Sequence, residues 1–350
     1  MPQSRNRLIV VLLILLVCLP ALAETANQAG TPTVPPFVEG SWTLIALPDT
    51  QYYAQTHPDV FTSQTRWIVE NRASRNIAFV LHEGDITNND TPKQWTNAKN
   101  SLSLLDGVVP YALAPGNHDY GPDGRTTTRD TLLNEYFPVS LFDKLPTFGG
   151  VYQRRRLDNS YHLFSAGGRN WLVLALEFGP RDGVVQWANV VLDRYSHRSA
   201  IIVTHAYLWY DDTQYDHTTP SGQTHNPHHY PVGRLPGSVN DGKELWDKLI
   251  YKHKNVAFVL CGHVGGDGAG RLTSTGEHGN PVHQLLANYQ MLREGGKGYM
   301  RLMEFPPDGK TVQVKTYSPY KDKYVTDSQH QFVLDVPPPR TKSRQPDVTH

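Results

Sequence analysis

The sequence predicts an α/β fold on three observations. Apolar runs alternate with amphipathic stretches between residues 42 and 114, and a β-rich remainder follows, broken by turn residues. Five apolar runs stop at residues able to bind a metal ion. They are TLIALP before Asp49, IAFVLHEG before Asp85, VVPYALAPG before Asn117 and His118, AIIVT before His205, and NVAFVLCG before His263. Short apolar runs bounded by Gly or Pro read as buried strands. Ligands of open α/β sheets bind beyond the carboxyl ends of the strands. Five such ends therefore describe one polar site at one edge of a sheet.

The elements follow in order. A strand over Trp42–Pro48 leads to a helical pattern near Val60–Ala73, with Phe61, Trp67 and Ile68 apolar. A strand over Ile77–His82, a helix over Lys93–Leu104 and a strand over Val108–Ala114 complete the first set. This alternation predicts parallel strands joined by right-handed crossovers. Tyr161–Ser165 and Trp171–Leu176 read as a hairpin across Ala166-Gly167-Gly168-Arg169-Asn170. A helix near Val184–Tyr195 precedes a strand over Ala200–Thr204. Residues 211–236 form a long polar loop with four histidines, His217, His225, His228 and His229. A helix near Gly242–Lys252 and strands over Val256–Leu260, Val282–Ala287, Tyr299–Glu304 and Thr311–Thr316 close the fold. Neither an internal repeat nor a second domain is evident.

The N-terminus has the pattern of an export signal. Arg5 and Arg7 precede the apolar stretch Leu8–Pro20, and Ala21-Leu22-Ala23 is a small-x-small cleavage site. The stretch is short for a ~20-residue membrane span. The expected organisation is a signal peptide over 1–23, a flexible leader over 24–40, one domain over 41–335 and a disordered tail over 336–350. The mature protein is expected to be secreted or periplasmic, with no stable membrane span. The chain balances 33 Lys and Arg against 33 Asp and Glu among 350 residues. It therefore carries no basic surplus of the kind that binds nucleic acid. With Cys18 inside the signal, Cys261 is the single mature cysteine. It cannot form an internal disulfide, and its place in an apolar run reads as a buried thiol.

The motifs carry the chemistry. They are Asp49-Thr50-Gln51, Gly84-Asp85-Ile86-Thr87-Asn88, Gly116-Asn117-His118-Asp119, Thr204-His205 and Gly262-His263-Val264. A lone strand-end Asp is usually a turn residue, and a lone buried His is usually just hydrogen-bonded. The ordered set is more specific. It resembles the calcineurin-like metallophosphoesterase family, whose pattern is D-x-H, G-D-x-x-[DN], G-N-H-[DE], H and G-H-x-H. The resemblance spans roughly residues 42–317.

It implies a two-sheet β-sandwich flanked by helices and a phosphate mono- or diester substrate. It also implies two divalent ions (Mn, Fe or Zn) with a bridging hydroxide. Asp85 matches the shared ligand, and Asp49 a ligand of the first metal. Asn117, His205 and His263 match ligands of the second. His118 matches a residue that faces the leaving group without binding metal.

Two departures fall on the first metal. Gln51 stands where the family has the His of D-x-H, and Gly265 where it has the last His of G-H-x-H. Gln51 and Asn88 are candidate replacement oxygen ligands, and Asp267 is a weaker one. Gln51 equally suits orienting a water. Asp119 either orients His118 in catalysis or caps a turn. Arg181 either contacts substrate phosphate or is a surface residue. The sequence thus reads as an exported dinuclear phosphoesterase. A non-catalytic exported binding module and a mononuclear metal hydrolase are the alternatives.

Overall fold

The structure is a computed structural model and describes residues 33–336. The expected signal peptide, the leader as far as residue 32 and the tail from residue 337 lie outside the described residues. The strands are β1 (Trp42–Leu47), β2 (Ile77–His82), β3 (Tyr111–Leu113), β4 (Phe148–Val151), β5 (Ser160–Ala166), β6 (Arg169–Leu176) and β7 (Ser199–Thr204). They continue as β8 (Val256–Cys261), β9 (Ala269–Thr275), β10 (Pro281–Ala287), β11 (Met300–Phe305), β12 (Thr311–Ser318), β13 (Lys323–Val325) and β14 (Phe332–Asp335).

Two sheets result. One runs β13-β12-β11-β1-β2-β3, with β14 also paired to β12; the other runs β4-β5-β6-β7-β8-β10-β9. The expected parallel set is present, since β1 pairs parallel with β2 and β2 with β3. A second parallel set, β6-β7-β8-β10, lies in the other sheet.

Side-chain alternation explains the layering. Trp42, Leu44 and Ala46 of β1 share one core with Trp171 and Val173 of β6 and with Ile201 and Val203 of β7. This is the interior of the sandwich, where Trp42 stacks on Phe305 at a centroid distance of 4.2 Å. The alternate residues Ile45 and Leu47 pack with Phe61, Ile68 and Trp95 of the helices Pro58–Asn71 and Pro92–Leu102. Leu172 and Leu174 of β6 pack with Val184 and Leu192 of the helix Asp182–Arg194. Strands covered on both faces read as continuous apolar runs. Cys261 is a buried free thiol, as expected.

Several expectations need correction. The five ligand-bearing strand ends do not share one sheet: β1, β2 and β3 belong to one, and β7 and β8 to the other. The hairpin turn is only Gly167-Gly168, both at positive φ, because Arg169 and Asn170 already belong to β6. The third strand is short, since Val109 N is still bonded back to Leu105 O. The helix near residue 242 is α-helical over Gly242–Leu245 and continues as a π-turn over Trp246–Ile250. At the domain edges, Pro35 O accepts from Lys315 Nζ at 2.7 Å, and Val336 N donates to Lys310 O at 2.7 Å.

Candidate metal centre

The chain leaves β1 through Pro48 and turns at Asp49, which has a φ of +24°. Asp85 after β2 (φ +49°) and His263 after β8 (φ +75°) are also left-handed. Such conformations cost free energy in non-glycine residues and cluster at functional sites. Here they aim side chains from three strand ends at one another.

The carboxylate of Asp49 accepts from His263 N at 3.2 and 3.3 Å. Asp85 Oδ1 accepts from His118 N at 2.9 Å. His205 Nε2 lies 3.1 Å from Asp85 Oδ1 and 3.9 Å from Asp49 Oδ1. Its other nitrogen, Nδ1, meets Glu83 O at 2.8 Å; a carbonyl only accepts, so Nδ1 carries the proton. His263 Nε2 likewise donates to His225 O at 2.8 Å. In the neutral ring Nδ1 is then the lone-pair nitrogen.

Close approach dictates the motif glycines. A Cβ on Gly116 would collide with the Asp85 carboxylate and backbone, and one on Gly84 (φ +104°) would strike the His205 ring.

The electrostatics demand positive charge between the carboxylates. Burial pushes the Asp49 carboxyl well above its usual range. Burial also pushes Asp85 up, but His205 and then His118 outweigh it and hold the carboxyl well below the usual range. Burial pushes His205 down, yet Asp85 and Asp49 outweigh it and raise the ring to about 9. A proton on His205 or a divalent cation can supply the charge. His263 is held neutral, pushed down to about 3 by burial and by His205. That is the protonation state a metal ligand needs.

Unpartnered atoms test the fit to metal. His205 Nε2 has only its 3.1 Å approach to Asp85, and Asn117 Oδ1 and Gln51 Oε1 are buried and have no hydrogen-bond partner. Buried polar atoms are rarely left so. Asp85, His205 and His263 each present a ligand atom within 4.8 Å of the others. Asn117 is oriented by its Nδ2, which donates to Gly124 O at 3.0 Å. These donors suit a divalent transition metal. Asp49 stands beside this group, its Oδ1 3.9 Å from His205 Nε2. The residues present therefore fit a divalent metal ion.

A model of the calcineurin-like phosphoesterase family matches residues 44–266. The chain belongs to the calcineurin-like phosphoesterase family. Members of this family are metal-dependent phosphoric ester hydrolases. The chain is 34% identical over 307 residues to the uncharacterized protein YvnB of Bacillus subtilis (strain 168). That match covers 84% of this chain but 21% of YvnB, so the chain spans about a fifth of that relative's length. Among solved structures it is similar to purple acid phosphatase PPD1 from yellow lupin, at 13% identity and a TM-score of 0.49. That likeness covers 84% of this chain and 54% of the lupin chain. It is also similar to a 5'-nucleotidase precursor of Thermus thermophilus, at 13% identity and a TM-score of 0.43, over 84% of this chain and 55% of that one.

Against the family motifs, the remaining candidates divide. His118 lines the pocket over the centre, and its Nδ1 donates to Asn88 O at 2.7 Å. Asp119 does not orient it. The buried Asp119 carboxylate instead accepts from Ile86 N, Thr87 N, Thr87 Oγ1 and Gly116 N at 2.8–3.0 Å. It ties the Asp85 loop to the Asn117 loop, so it positions ligands and does not touch reacting atoms. Burial, then Asp85, push its carboxyl up to about 7.

The Asn88 side chain is already engaged: Oδ1 accepts from Gln51 Nε2 at 3.3 Å, and Nδ2 donates to Gln55 Oε1 at 3.0 Å. Asp267 is exposed and bonds Ala269 N in its own turn. Arg181 is not at the centre. It grips the buried Glu177 through Nε at 2.8 Å and Nη2 at 2.9 Å, and lines a separate cleft with Arg129 and Arg156.

Sequence reasoning missed the supporting residues. Phe178 packs on the rings of His205 and His263, and Arg129 holds Phe178 O at 2.8 Å. Glu83 and His225 act on the histidines through backbone carbonyls, which no side-chain motif encodes.

Proposed function

We propose that this chain is an exported, metal-dependent phosphoesterase with two unequal metal positions. The observation that carries the reading is the buried group at Asp85: His205 and His263 present ligand atoms beside it, and Asn117 Oδ1 is left without a hydrogen-bond partner. The second position would be held by Asp85, Asn117, His205 and His263. The first would be held by Asp49 and Asp85, with Gln51. Bound there, divalent ions supply charge neutralisation and a water acidified for attack at neutral pH.

The pocket over the centre measures about 510 Å³, and no Lys or Arg lines it. Its protein wall cannot neutralise a phosphate beside Asp85, which supports a requirement for cations. The chain's own contribution is positioning and a proton. Asn88 O fixes the His118 ring through Nδ1–H, which leaves Nε2 free. As an imidazolium the ring would give its Nε2 proton to the departing oxygen as that oxygen's bond to phosphorus breaks, and return to the neutral Nδ1–H form. His225 O and Glu83 O lock the two ligand rings in orientation. Trp209, Tyr210 and Tyr230 form an aromatic wall against which the ester's leaving group can pack.

The test is hydrolysis of p-nitrophenyl phosphate and bis(p-nitrophenyl) phosphate by metal-free protein resupplied with Mn, Zn or Fe. Turnover that appears only with metal supports the reading. No turnover of either ester with any of the three would leave the binding-module alternative standing. The mononuclear alternative has one observation in its favour: the closely grouped Asp85, His205 and His263 are all second-position residues. Export rests on the pattern of residues 1–23, and sequencing the N-terminus of the secreted protein tests it. No helix among the described residues is long and apolar enough to cross a membrane.

A further inference from the structure

The loop between β7 and the helix at Gly242 holds a second cluster that the phosphoesterase reading does not use. His217, His228, Asp241 and Glu244 each present a ligand atom, and the four atoms lie within 4.8 Å of one another. We propose that these residues form a separate structural zinc site that sets the shape of the active-site loop.

The donor set is two imidazoles and two carboxylates, which neutralises a divalent ion and suits tetrahedral zinc. His217 Nδ1 lies 2.9 Å from Asp241 Oδ2, and His228 Nε2 lies 2.6 Å from Glu244 Oε2. The two rings stack face to face at 3.7 Å with 26° between planes. As neutral rings, His217 and His228 would each meet a carboxylate through one N–H. An ion held by all four residues would take the place of those two protons.

The outer shell is also built. Asp241 Oδ2 accepts from Asn226 Nδ2 at 3.1 Å, and Asp241 Oδ1 accepts from Glu244 N at 3.1 Å. Glu244 Oε1 accepts from Lys248 Nζ at 3.0 Å, and Oε2 accepts from Asp241 N at 3.1 Å. Such contacts orient ligands and raise affinity.

The site has a consequence for the catalytic centre. His217 and His228 bracket a segment without helix or strand, and its Gly222, Thr224 and His225 line the pocket. His225 is left-handed at φ +61°, and its carbonyl holds the His263 ring. Tying residues 217 and 228 to the helix start at Asp241 and Glu244 therefore fixes the orientation of a catalytic ligand from outside the centre.

Zinc titration of the full metal-free chain, with elemental analysis after dialysis, tests the proposal. In a D85A/H205A background, where the catalytic ligands are removed, one zinc per chain should remain. Adding H217Q/H228Q should abolish it. A D85A/H205A chain that binds no zinc would overturn the proposal, as would retention of that zinc in the quadruple variant. If circular dichroism shows that the combined variants do not fold, Glu244→Gln alone decides. One class of zinc site should then weaken by ~10-fold or more, and unchanged affinities would overturn the site.

Discussion

His118 and Gln51 differ in how firmly their surroundings hold them, and that difference sets what each substitution does. The His118 ring is fixed by Asn88 O and has no place among the grouped ligands. His118→Ala is expected to leave metal content near wild type while lowering turnover by ~10²–10⁴-fold, the usual range for general acid–base help. Metal analysis beside steady-state kinetics checks this, and loss of metal would make His118 a ligand instead. Gln51 is held only through its Nε2, and its buried Oε1 has no partner. Gln51→His supplies an imidazole, which binds borderline transition metals better than an amide oxygen does. The first position should then bind Mn or Zn more tightly, read as a lower metal concentration for half-maximal activity. No change would show that Gln51 faces away from that ion.

The element that buttresses the centre is the end of β6, where Glu177 is buried between Arg129 and Arg181. Burial pushes the Glu177 carboxyl up, but Arg129 and Arg181 outweigh it and hold it below its ordinary 4.5. A depressed folded value gives stability that is complete above the unfolded value and is lost as pH falls through the folded one. Glu177→Gln leaves two guanidinium groups without their carboxylate. It should cost ~3–5 kcal/mol at pH 7, the range for breaking a buried pair. The gap from wild type should narrow well below pH 4.5. Urea unfolding at both pH values measures it, and a gap independent of pH would mean the pair contributes packing alone.

This network was not visible in the sequence, because Glu177 and Arg129 lie far apart along the chain and neither sits in a metal motif. Other elements escaped for local reasons. β4 (FGGV) and β9 (AGRLTST) are edge strands rich in Gly and polar residues, so they show no apolar run. The short helix Gln51–Thr56 begins inside the D-T-Q motif, whose residues read as ligands before they read as helix. By contrast, β1, β2, β6, β7 and β8 are buried on both faces, and burial is what writes a strand plainly into sequence.

Across the whole molecule, the ligands come from the ends of strands in two packed sheets. Local patterns predicted each strand end, but assigning ends to sheets depends on long-range pairing. The same patterns singled out Asp85, Asn117, His205 and His263, which the fold brings together. They did not give the roles of Asp119 and Arg181, which depend on partners distant in sequence. The lopsided ligand set carries the central claim: two metals bind, unequally, and both are needed. Mn(II) titration of metal-free protein, followed together by ester hydrolysis and by electron paramagnetic resonance, tests it most directly. Two ions ~3.5–4 Å apart give an exchange-coupled signal distinct from that of an isolated ion. An isolated signal should appear first with little activity, and activity should then rise in step with the coupled signal. Full activity before any coupled signal appears would contradict the account.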